Sequence, residues 1–300
     1  MQKHMDLLNV NSGVGFREMK KAILIIVLGL LWINPSFAEE NIDAKENISG
    51  FSKIRKSNMV GKVDRIKAVK KSDGYPVYEG KTSIQVTVNR MDAGCSEGNY
   101  QGTDAPYCDG KYNRSRQELK FNDMNLKNKE HIYEWAMYLD ENYKSLKYYS
   151  NVVIGQMHTA DHVDKKCRSN STHFWLYDRK MDGDNHYIFG SRADTHDPIK
   201  IAKIEELKGK WTHIKLHVLF KSDKTGRYLI YKDNELIADV KDIKTLADKC
   251  TKGYLKLGIY RFDHIGYFNN DDFENLPDQT IYFDNITKRK PKKEESIKNK

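Results

Sequence analysis

The chain has 300 residues, of which 39% are hydrophobic and 31% are charged, a balance typical of globular proteins that excludes a disordered or collagen-like chain. Its 18 Tyr, 11 Phe and 4 Trp supply the large apolar side chains that a core requires. The formal charge of +9 is concentrated in the tail, since residues 288–300 carry seven basic and two acidic side chains. The small remaining charge of the body gives no reason to expect a nucleic-acid partner.

The first distinctive segment is an apolar run at residues 22–33. It is shorter than the roughly 20 residues needed to cross a bilayer. Met19, Lys20 and Lys21 give it a positive start, and Ser36-Phe37-Ala38 resembles a cleavage site. This pattern predicts a signal peptide ending at Ala38, with residues 1–18 as an upstream segment. We therefore expect export to the periplasm or the medium without stable membrane insertion, the alternative being a retained anchor.

The prediction of export affects how the four cysteines are interpreted. Cys95, Cys108, Cys167 and Cys250 form an even set without a C-x-x-C pair, which favours disulfides over a zinc site in an exported protein. Three connectivities are available. We favour Cys95 with Cys108, because they bracket a loop rich in turn residues, and this leaves Cys167 with Cys250. Free thiols remain an alternative.

Short runs of alternating polar and apolar residues dominate the chain after a polar segment at 39–52. Strands are predicted at 83–89, 131–139 and 211–220, and a hairpin at 227–232 and 235–240 that turns at Asp233-Asn234. Short helices are predicted at 201–207 and 244–249. The pattern is all-β, and we predict one concanavalin A-like β-jelly-roll sandwich at 53–287, followed by a basic, solvated tail at 288–300. We expect a monomer.

Alternation within three of the predicted strands separates an apolar face from a polar one, because residues i and i+2 of a strand share a face. The polar faces carry these side chains: Arg116, Glu118 and Lys120; Gln156 and His158; and Tyr254, Lys256 and Tyr260. Such a sheet would form a concave groove for an anionic, hydroxyl-rich chain. His213 and Lys215 alternate in the same way on a fourth strand and are further candidates for substrate contact, although a solvated strand face explains them equally well.

The three segments resemble the signature motifs of jelly-roll polysaccharide lyases. The sequence R-Q-E-L-K at 116–120 is similar to the R-(S/T)-E-L-R strand of alginate lyases, Q-M-H at 156–158 to their Q-(I/V)-H strand, and 254–260 to their Y-F-K-A-G-x-Y strand. The surrounding sequence is more similar to the heparin lyase I and glucuronan lyase branch. Lys120 stands where the alginate lyase motif has a second Arg.

The resemblance implies cleavage of a uronic-acid polysaccharide by β-elimination. Arg116 and Gln156 would neutralise the sugar carboxylate, His158 would accept the C5 proton, and Tyr260 would donate a proton to the leaving oxygen. In a syn elimination, Tyr260 would serve as base and then as acid.

The resemblance also suggests supporting roles for the remaining polar residues of these strands. Lys256, Lys120 and Tyr254 would contact neighbouring sugars, and Glu118 would hold Arg116 by an ion pair.

Other functions and cofactors are alternatives to this hypothesis. The elimination needs no cofactor, although the oxygen-rich segments 182–185 and 269–272 make calcium an open alternative. A lectin-like carbohydrate-binding module could use the same scaffold. A glycoside hydrolase would need a second carboxylate beside Glu118, and none is evident in the three motif strands. The lyase hypothesis and the lectin hypothesis both predict an acidic polysaccharide as the binding partner.

Overall fold

A computed structural model describes residues 47–51, 54–58, 65–92, 114–122, 124–148, 151–160, 167, 172–194, 196–261, 266–267 and 270–297. Within these ranges the chain is built almost entirely of strands, as the alternation predicts. The strands are β1 (Ile48–Ser49), β2 (Ile54–Asn58), β3 (Ile66–Lys70), β4 (Thr82–Val88), β5 (Ser115–Phe121), β6 (Met124–Asn125), β7 (Glu130–Leu139), β8 (Val152–Thr159), β9 (Thr172–Met181), β10 (Asp184–Ser191), β11 (Ile199–Lys203), β12 (Trp211–Leu219), β13 (Gly226–Lys232), β14 (Glu235–Ile243), β15 (Lys252–Arg261) and β16 (Gln279–Arg289). Short 3₁₀ helices lie at Lys71–Asp73, Arg90–Asp92, Ile204–Glu206 and Phe273–Asn275.

The strands form two largely antiparallel sheets. The first sheet has the order β14-β13-β12-β7-β16-β4-β3, with β1 paired to β16, and the second has the order β11-β10-β9-β8-β15-β5-β2, with β6 paired to β15. The late strand β16 lies between β7 and β4, and β15 lies between β8 and β5. Long connections therefore link strands that are distant in the sequence. This arrangement is the predicted jelly-roll sandwich.

The core lies between the two sheets and is formed by the apolar phase of each strand. Trp135 of β7 and Leu216 of β12 meet Phe174 of β9 and Leu257 of β15 in one cluster in which all four side chains are fully buried. Because alternate residues of a strand point to opposite faces, the polar residues between them face away from the core. The faces predicted for β7, β8, β12 and β15 are therefore confirmed.

The predicted hairpin of β13 and β14 is also present. Asp233 and Asn234 both have positive φ, 50° and 68°, as a two-residue type I′ turn requires. Of the two short helices predicted, the first is present only as a 3₁₀ turn at Ile204–Glu206 and the second is wrong. Residues 201–207 continue β11 into a 3₁₀ turn. At 244–249 the backbone N–H groups of Thr245 and Leu246 donate to the carbonyl of Lys221, so they are unavailable for a helical ladder.

The basic tail is more ordered than the sequence suggests. Strand β16 continues to Arg289, and the following residues fold back onto the first sheet. The buried Glu130 carboxylate accepts hydrogen bonds from Ser296 Oγ at 2.8 Å and from the Ile297 N–H at 2.7 Å. The Ile297 side chain is itself buried. The tail is therefore anchored at Ile297, whereas Lys290, Lys292 and Lys293 are solvent-exposed.

One predicted disulfide is confirmed. Cys167 and Cys250 are bonded, and they tie the segment before β9 to the segment before β15. Cys95 and Cys108 lie outside the described residues, so their pairing stays a prediction. None of the helices in the described ranges has the length and apolar character that crossing a bilayer requires.

Candidate active site

The second sheet places the three predicted motif strands side by side, with β15 between β5 and β8. Lys256 of β15 is the cross-strand partner of Lys120 on one side and of Gln156 on the other. Tyr260 pairs with Arg116, and Tyr254 pairs with His158. Cross-strand partners point to the same side of a sheet. We call this polar side of the second sheet, turned away from the core, the site face.

Gly258 allows β5 to approach β15 closely at the centre of the site face. A Cβ atom at this position would lie 2.2 Å from the carbonyl oxygen of Gln117 and 2.6 Å from the Cα of Glu118. Such distances are shorter than van der Waals contact, so any larger residue would push the two strands apart. The glycine of the motif is thus required by the packing of backbone against backbone.

Glu118, the cross-strand partner of Gly258, is the hub of the site face. Its buried carboxylate accepts a hydrogen bond from Gln156 Nε2 at 2.6 Å and one from Lys256 Nζ at 3.1 Å, and Arg116 Nε lies 3.4 Å away. Burial by itself raises the pKa of the Glu118 carboxyl, but Lys256, Arg116 and the Gln156 hydrogen bond together lower this pKa below its ordinary value. The expected ion pair with Arg116 is present, and it belongs to a larger network.

Lys256 and Gln156 are more enclosed than the sequence suggests. Each is only 3% exposed, and each donates to Glu118. Burial lowers the pKa of the Lys256 ammonium, an effect that the charge of Glu118 opposes. The expectation that Lys256 is an open substrate contact is corrected, because its ammonium supports the hub. Gln156 donates one of its two side-chain N–H groups to Glu118, and the second N–H group remains as a donor.

Tyr260 lies between two arginines at one end of the site face. Its hydroxyl oxygen accepts a hydrogen bond from Arg114 Nη1 at 2.9 Å, and the guanidinium carbon of Arg116 lies 4.3 Å from its ring centroid. Arg114 was missed in the sequence. Its position two residues before Arg116, at the start of the same alternating segment, is a signal that could have identified it.

His158 lies at the other end of the site face. Its ring is stacked on Tyr254 with centroids 5.1 Å apart, and Lys120 Nζ lies 4.1 Å from the same tyrosine ring. His158 Nδ1 is 2.8 Å from the carbonyl oxygen of Thr159. A carbonyl oxygen only accepts, so Nδ1 carries the proton, and Nε2 is the acceptor nitrogen of the neutral ring.

The register separates the imidazole from the phenol. Tyr260 pairs with Val153 of β8, whereas His158 lies five residues further along that strand. At the usual strand rise, five residues place the Cα atoms of Val153 and His158 about 16 Å apart. The structure thus places Gln156 and Arg116 beside Glu118 and Tyr260 beside Arg116. His158, Tyr254 and Lys120 form a second group.

Two predicted substrate contacts do not belong to the site face. His213 and Lys215 lie on β12 of the first sheet, and Lys215 Nζ sits 4.0 Å from the ring centroid of Tyr231. The prediction that they extend the groove is therefore wrong. Alternation marks any half-buried strand, and it carries no information about the sheet to which the strand belongs.

The proposed calcium segments are held by lysines where they are described. Asp182 pairs with Lys200, Asp184 pairs with Lys203, and Asp272 pairs with Lys147. Within the described ranges, His, Cys, Asp and Glu residues do not form any group of three suited to a metal ion. These three aspartates, from the two segments for which calcium was an open alternative, are thus engaged in ion pairs with lysines.

Comparisons with known proteins agree with this fold. The endo-β-1,4-glucuronan lyase of the fungus Trichoderma reesei superposes with a TM-score of 0.51 at 15% identity, covering 81% of this chain and 92% of that chain. An alginate lyase from Pseudomonas aeruginosa gives a TM-score of 0.45 at 12% identity, covering 77% and 87% of the two chains. No curated protein sequence matches significantly. The sequence profile described as polysaccharide lyase matches residues 46–287, which is most of the chain. The chain therefore belongs to the polysaccharide lyase family, and it is an enzyme whose substrate is a polysaccharide.

Proposed function

We propose that this lyase cleaves a uronic-acid polysaccharide by β-elimination and that Tyr260 carries the proton transfer. The observation that supports this most directly is the pair of guanidinium groups around Tyr260, with Arg114 on its hydroxyl and Arg116 on its ring. Positive charge at this point stabilises negative charge on the phenol oxygen and on a sugar carboxylate bound beside it.

The charge of the site face suits a polyanion. Arg114, Arg116, Lys120 and Lys256 are cations, and Glu118 is the carboxylate among them. The single negative charge of Glu118 is offset by the neighbouring Lys256 and Arg116, so the group as a whole keeps an excess of positive charge. A uronate chain brings one carboxylate with each acidic sugar, and the guanidinium of Arg116 can bind a carboxylate through two parallel N–H groups.

The chemistry of each step follows from these groups. The ionised Tyr260 oxygen removes the proton from C5 of the uronate, and the electron pair of that bond moves toward the carboxylate to form an enolate-like dianion. Arg116 and the remaining N–H of Gln156 stabilise the added charge, which is greater in the transition state than in the ground state. The C4–O bond then breaks, Tyr260 returns the proton to the leaving oxygen, and a C4–C5 double bond remains.

A single residue serving as base and acid favours syn elimination, in which both protons lie on one side of the sugar ring. His158 lies far along β8 from Val153, the cross-strand partner of Tyr260. This separation favours Tyr260 as both base and acid over a mechanism in which His158 is the base and Tyr260 is the acid. Glucuronate and mannuronate polymers are therefore the proposed substrates, with His158 Nε2 accepting a hydrogen bond from a hydroxyl group of an adjacent sugar. Glucuronan comes first, because the superposed fungal enzyme is a glucuronan lyase.

The test is an assay on a panel of polymers: glucuronan, mannuronate-rich alginate, guluronate-rich alginate and heparin. We expect ultraviolet absorbance from the new C4–C5 double bond with glucuronan or mannuronate-rich alginate, and none from Tyr260→Phe. Binding without absorbance on every polymer would indicate a lectin. Cleavage products with saturated ends would indicate a hydrolase. Cleavage confined to guluronate or heparin would overturn the syn assignment.

We also propose that the enzyme is exported, with residues 22–33 as the apolar part of a signal peptide. The Cys167–Cys250 disulfide supports this, because structural disulfides persist in oxidising compartments. Cell fractionation and N-terminal sequencing of the natural protein test the proposal. A mature protein that begins near Glu39 and is found outside the cytoplasm is expected, whereas an uncleaved cytoplasmic protein would contradict it.

A further inference from the structure

The site face continues past the motif strands onto β9. Trp175 of β9 is the cross-strand partner of Gln156, so it lies on the same side of the sheet as the hub. Its side chain is partly exposed and packs against the small cluster formed by Val153, Tyr177, Ile188 and Tyr260. Its partner on the far side is Gly190 of β10, and the Tyr177 ring lies over that glycine and packs edge-on to the indole with centroids 6.1 Å apart. The sequence motifs assign no function to this tryptophan.

Arg192 completes the arrangement. Its guanidinium carbon lies 4.1 Å from the Trp175 ring centroid, and the side chain is exposed. The Arg192 backbone N–H donates to the carbonyl of His173 at 3.1 Å, which anchors the residue at the end of β10. Within the described part of the chain, no carboxylate is in ion-pair contact with Arg192. A guanidinium held over an aromatic ring still has N–H donors along its edge, in the plane where a carboxylate binds.

We propose that Trp175 and Arg192 form a second subsite for an acidic sugar, which holds the carboxylate of a uronate next to the one cleaved at Tyr260. Strand β9 is two strands away from β15, which corresponds to about 10 Å across the sheet. The substrate chain therefore runs across the strands from β5 toward β10. The inference rests on the proposed function, since it assigns a further contact to the same substrate.

The role of Arg192 is separable from that of Tyr260. Trp175 packs in the cluster that contains Tyr260, so its replacement would disturb the proton-transfer residue as well. Arg192 is exposed and can be changed with less disturbance. Arg192→Gln removes the charge and keeps N–H donors, while Arg192→Lys keeps the charge and loses the planar fork. Lys224→Gln, at an exposed turn between β12 and β13 of the first sheet, removes one positive charge elsewhere and is the matched control.

The experiment measures binding of glucuronan and mannuronate-rich alginate by calorimetry, with the Tyr260→Phe protein as the background that does not cleave. Adding Arg192→Gln should weaken binding of the preferred polymer about fivefold to tenfold, the range expected for a partly exposed charge-assisted contact. Arg192→Lys should weaken binding less than Arg192→Gln does, because the charge is kept, and Lys224→Gln should leave affinity unchanged. With the carboxyl-reduced form of the same polymer, the Arg192→Gln effect should vanish.

Each result separates the subsite from the proposed function. Equal affinity of the Arg192→Gln protein and its parent for the carboxylated polymer would overturn the subsite even if the wild-type enzyme cleaves that polymer. An equal loss with the carboxyl-reduced polymer would also overturn it, because recognition would not then involve the carboxylate. Carboxylate-dependent loss of binding, in a protein that cleaves none of the panel, would support the subsite and reject the lyase mechanism.

Discussion

Arg114 donates a hydrogen bond to the hydroxyl oxygen of Tyr260 across 2.9 Å, while Arg116 covers the ring of the same tyrosine. A phenol that must lose its proton to act as a base benefits from cations at both places. In the proposed mechanism the two arginines differ, because Arg116 binds the substrate carboxylate whereas Arg114 acts through Tyr260. Arg114 is thus a positioning residue in the proposed mechanism.

Arg114→Gln is expected to lower kcat/KM at neutral pH by about tenfold or more, since one charge-assisted hydrogen bond is worth about 1.5 kcal/mol or more. The rising limb of the pH–rate profile should move to higher pH, because losing the cation makes the phenolate harder to form. Arg114→Lys should move the limb less. An unchanged profile with reduced kcat would assign Arg114 a purely structural role.

Tyr260→Phe is expected to reduce kcat by about a thousandfold or more, the range of a lost general base and acid, with polymer affinity retained. Tyr231→Phe, on β13 of the first sheet, is the matched control, because it also removes one hydroxyl group, and it should keep activity within about threefold. His158→Gln should mainly raise KM. A loss of kcat in His158→Gln as complete as that in Tyr260→Phe would instead favour His158 as the base.

Glu118→Gln is expected to destabilise the fold by about 3 kcal/mol, because it leaves the buried Lys256 without a counterion. Activity should fall because the neutral amide no longer forms the ion pair that positions Arg116. The double variant Glu118→Gln with Lys256→Met should recover much of the stability without the activity. Urea denaturation and the polymer assay measure the two effects, and a stable, fully active Glu118→Gln protein would remove Glu118 as the hub.

The difference in unfolding free energy between the wild type and Glu118→Gln should depend on pH. The folded-state pKa of Glu118 is lowered, so its stabilising contribution is present above the unfolded value near 4.5 and is lost as the pH falls through the folded value. The gap in stability between wild type and Glu118→Gln should therefore be widest at neutral pH and should narrow in acid. A gap that is constant with pH would show that charge is not its cause.

His173 predicts a separate loss of stability in acid. Burial lowers its pKa from 6.5 to about 4, and its neutral ring accepts from the Ala247 N–H at 3.0 Å. A lowered folded-state pKa means that its contribution is intact above pH 6.5 and is lost as the pH falls toward 4. Between pH 7 and pH 5 the expected loss is about 2 kcal/mol. His173→Gln should flatten this part of the curve in urea denaturation, and an unchanged slope would contradict the assignment.

Alternation in the chain was sufficient to assign the faces of the motif strands. Leu119, Met157 and Leu257 are fully buried in the core, and the polar residues between them lie on the site face, because the period of a strand is two whatever its partners are. The same rule failed for His213 and Lys215. Their strand alternates equally well, but it belongs to the other sheet.

Local pattern also predicted a helix at 244–249 that is absent, and it missed the anchoring of the tail. Thr245 and Leu246 donate to Lys221, more than twenty residues away in sequence, and Ile297 is anchored by Glu130 on β7. Contacts between residues so far apart in the chain leave no periodic trace in either segment. Arg114 is a different case, since its phase was visible in the sequence but its contact with Tyr260 was not.

The order of polar and apolar residues determined the fold class, the two faces of each strand and the set of groups available for elimination chemistry. Only the tertiary structure decided how those groups combine. It joined Arg116, Gln156 and Lys256 through the Glu118 carboxylate, placed Tyr260 between two arginines and set His158 at the other end of the sheet. The physical reason is that alternation is a property of one strand, whereas register, neighbours and burial arise only when distant strands pair.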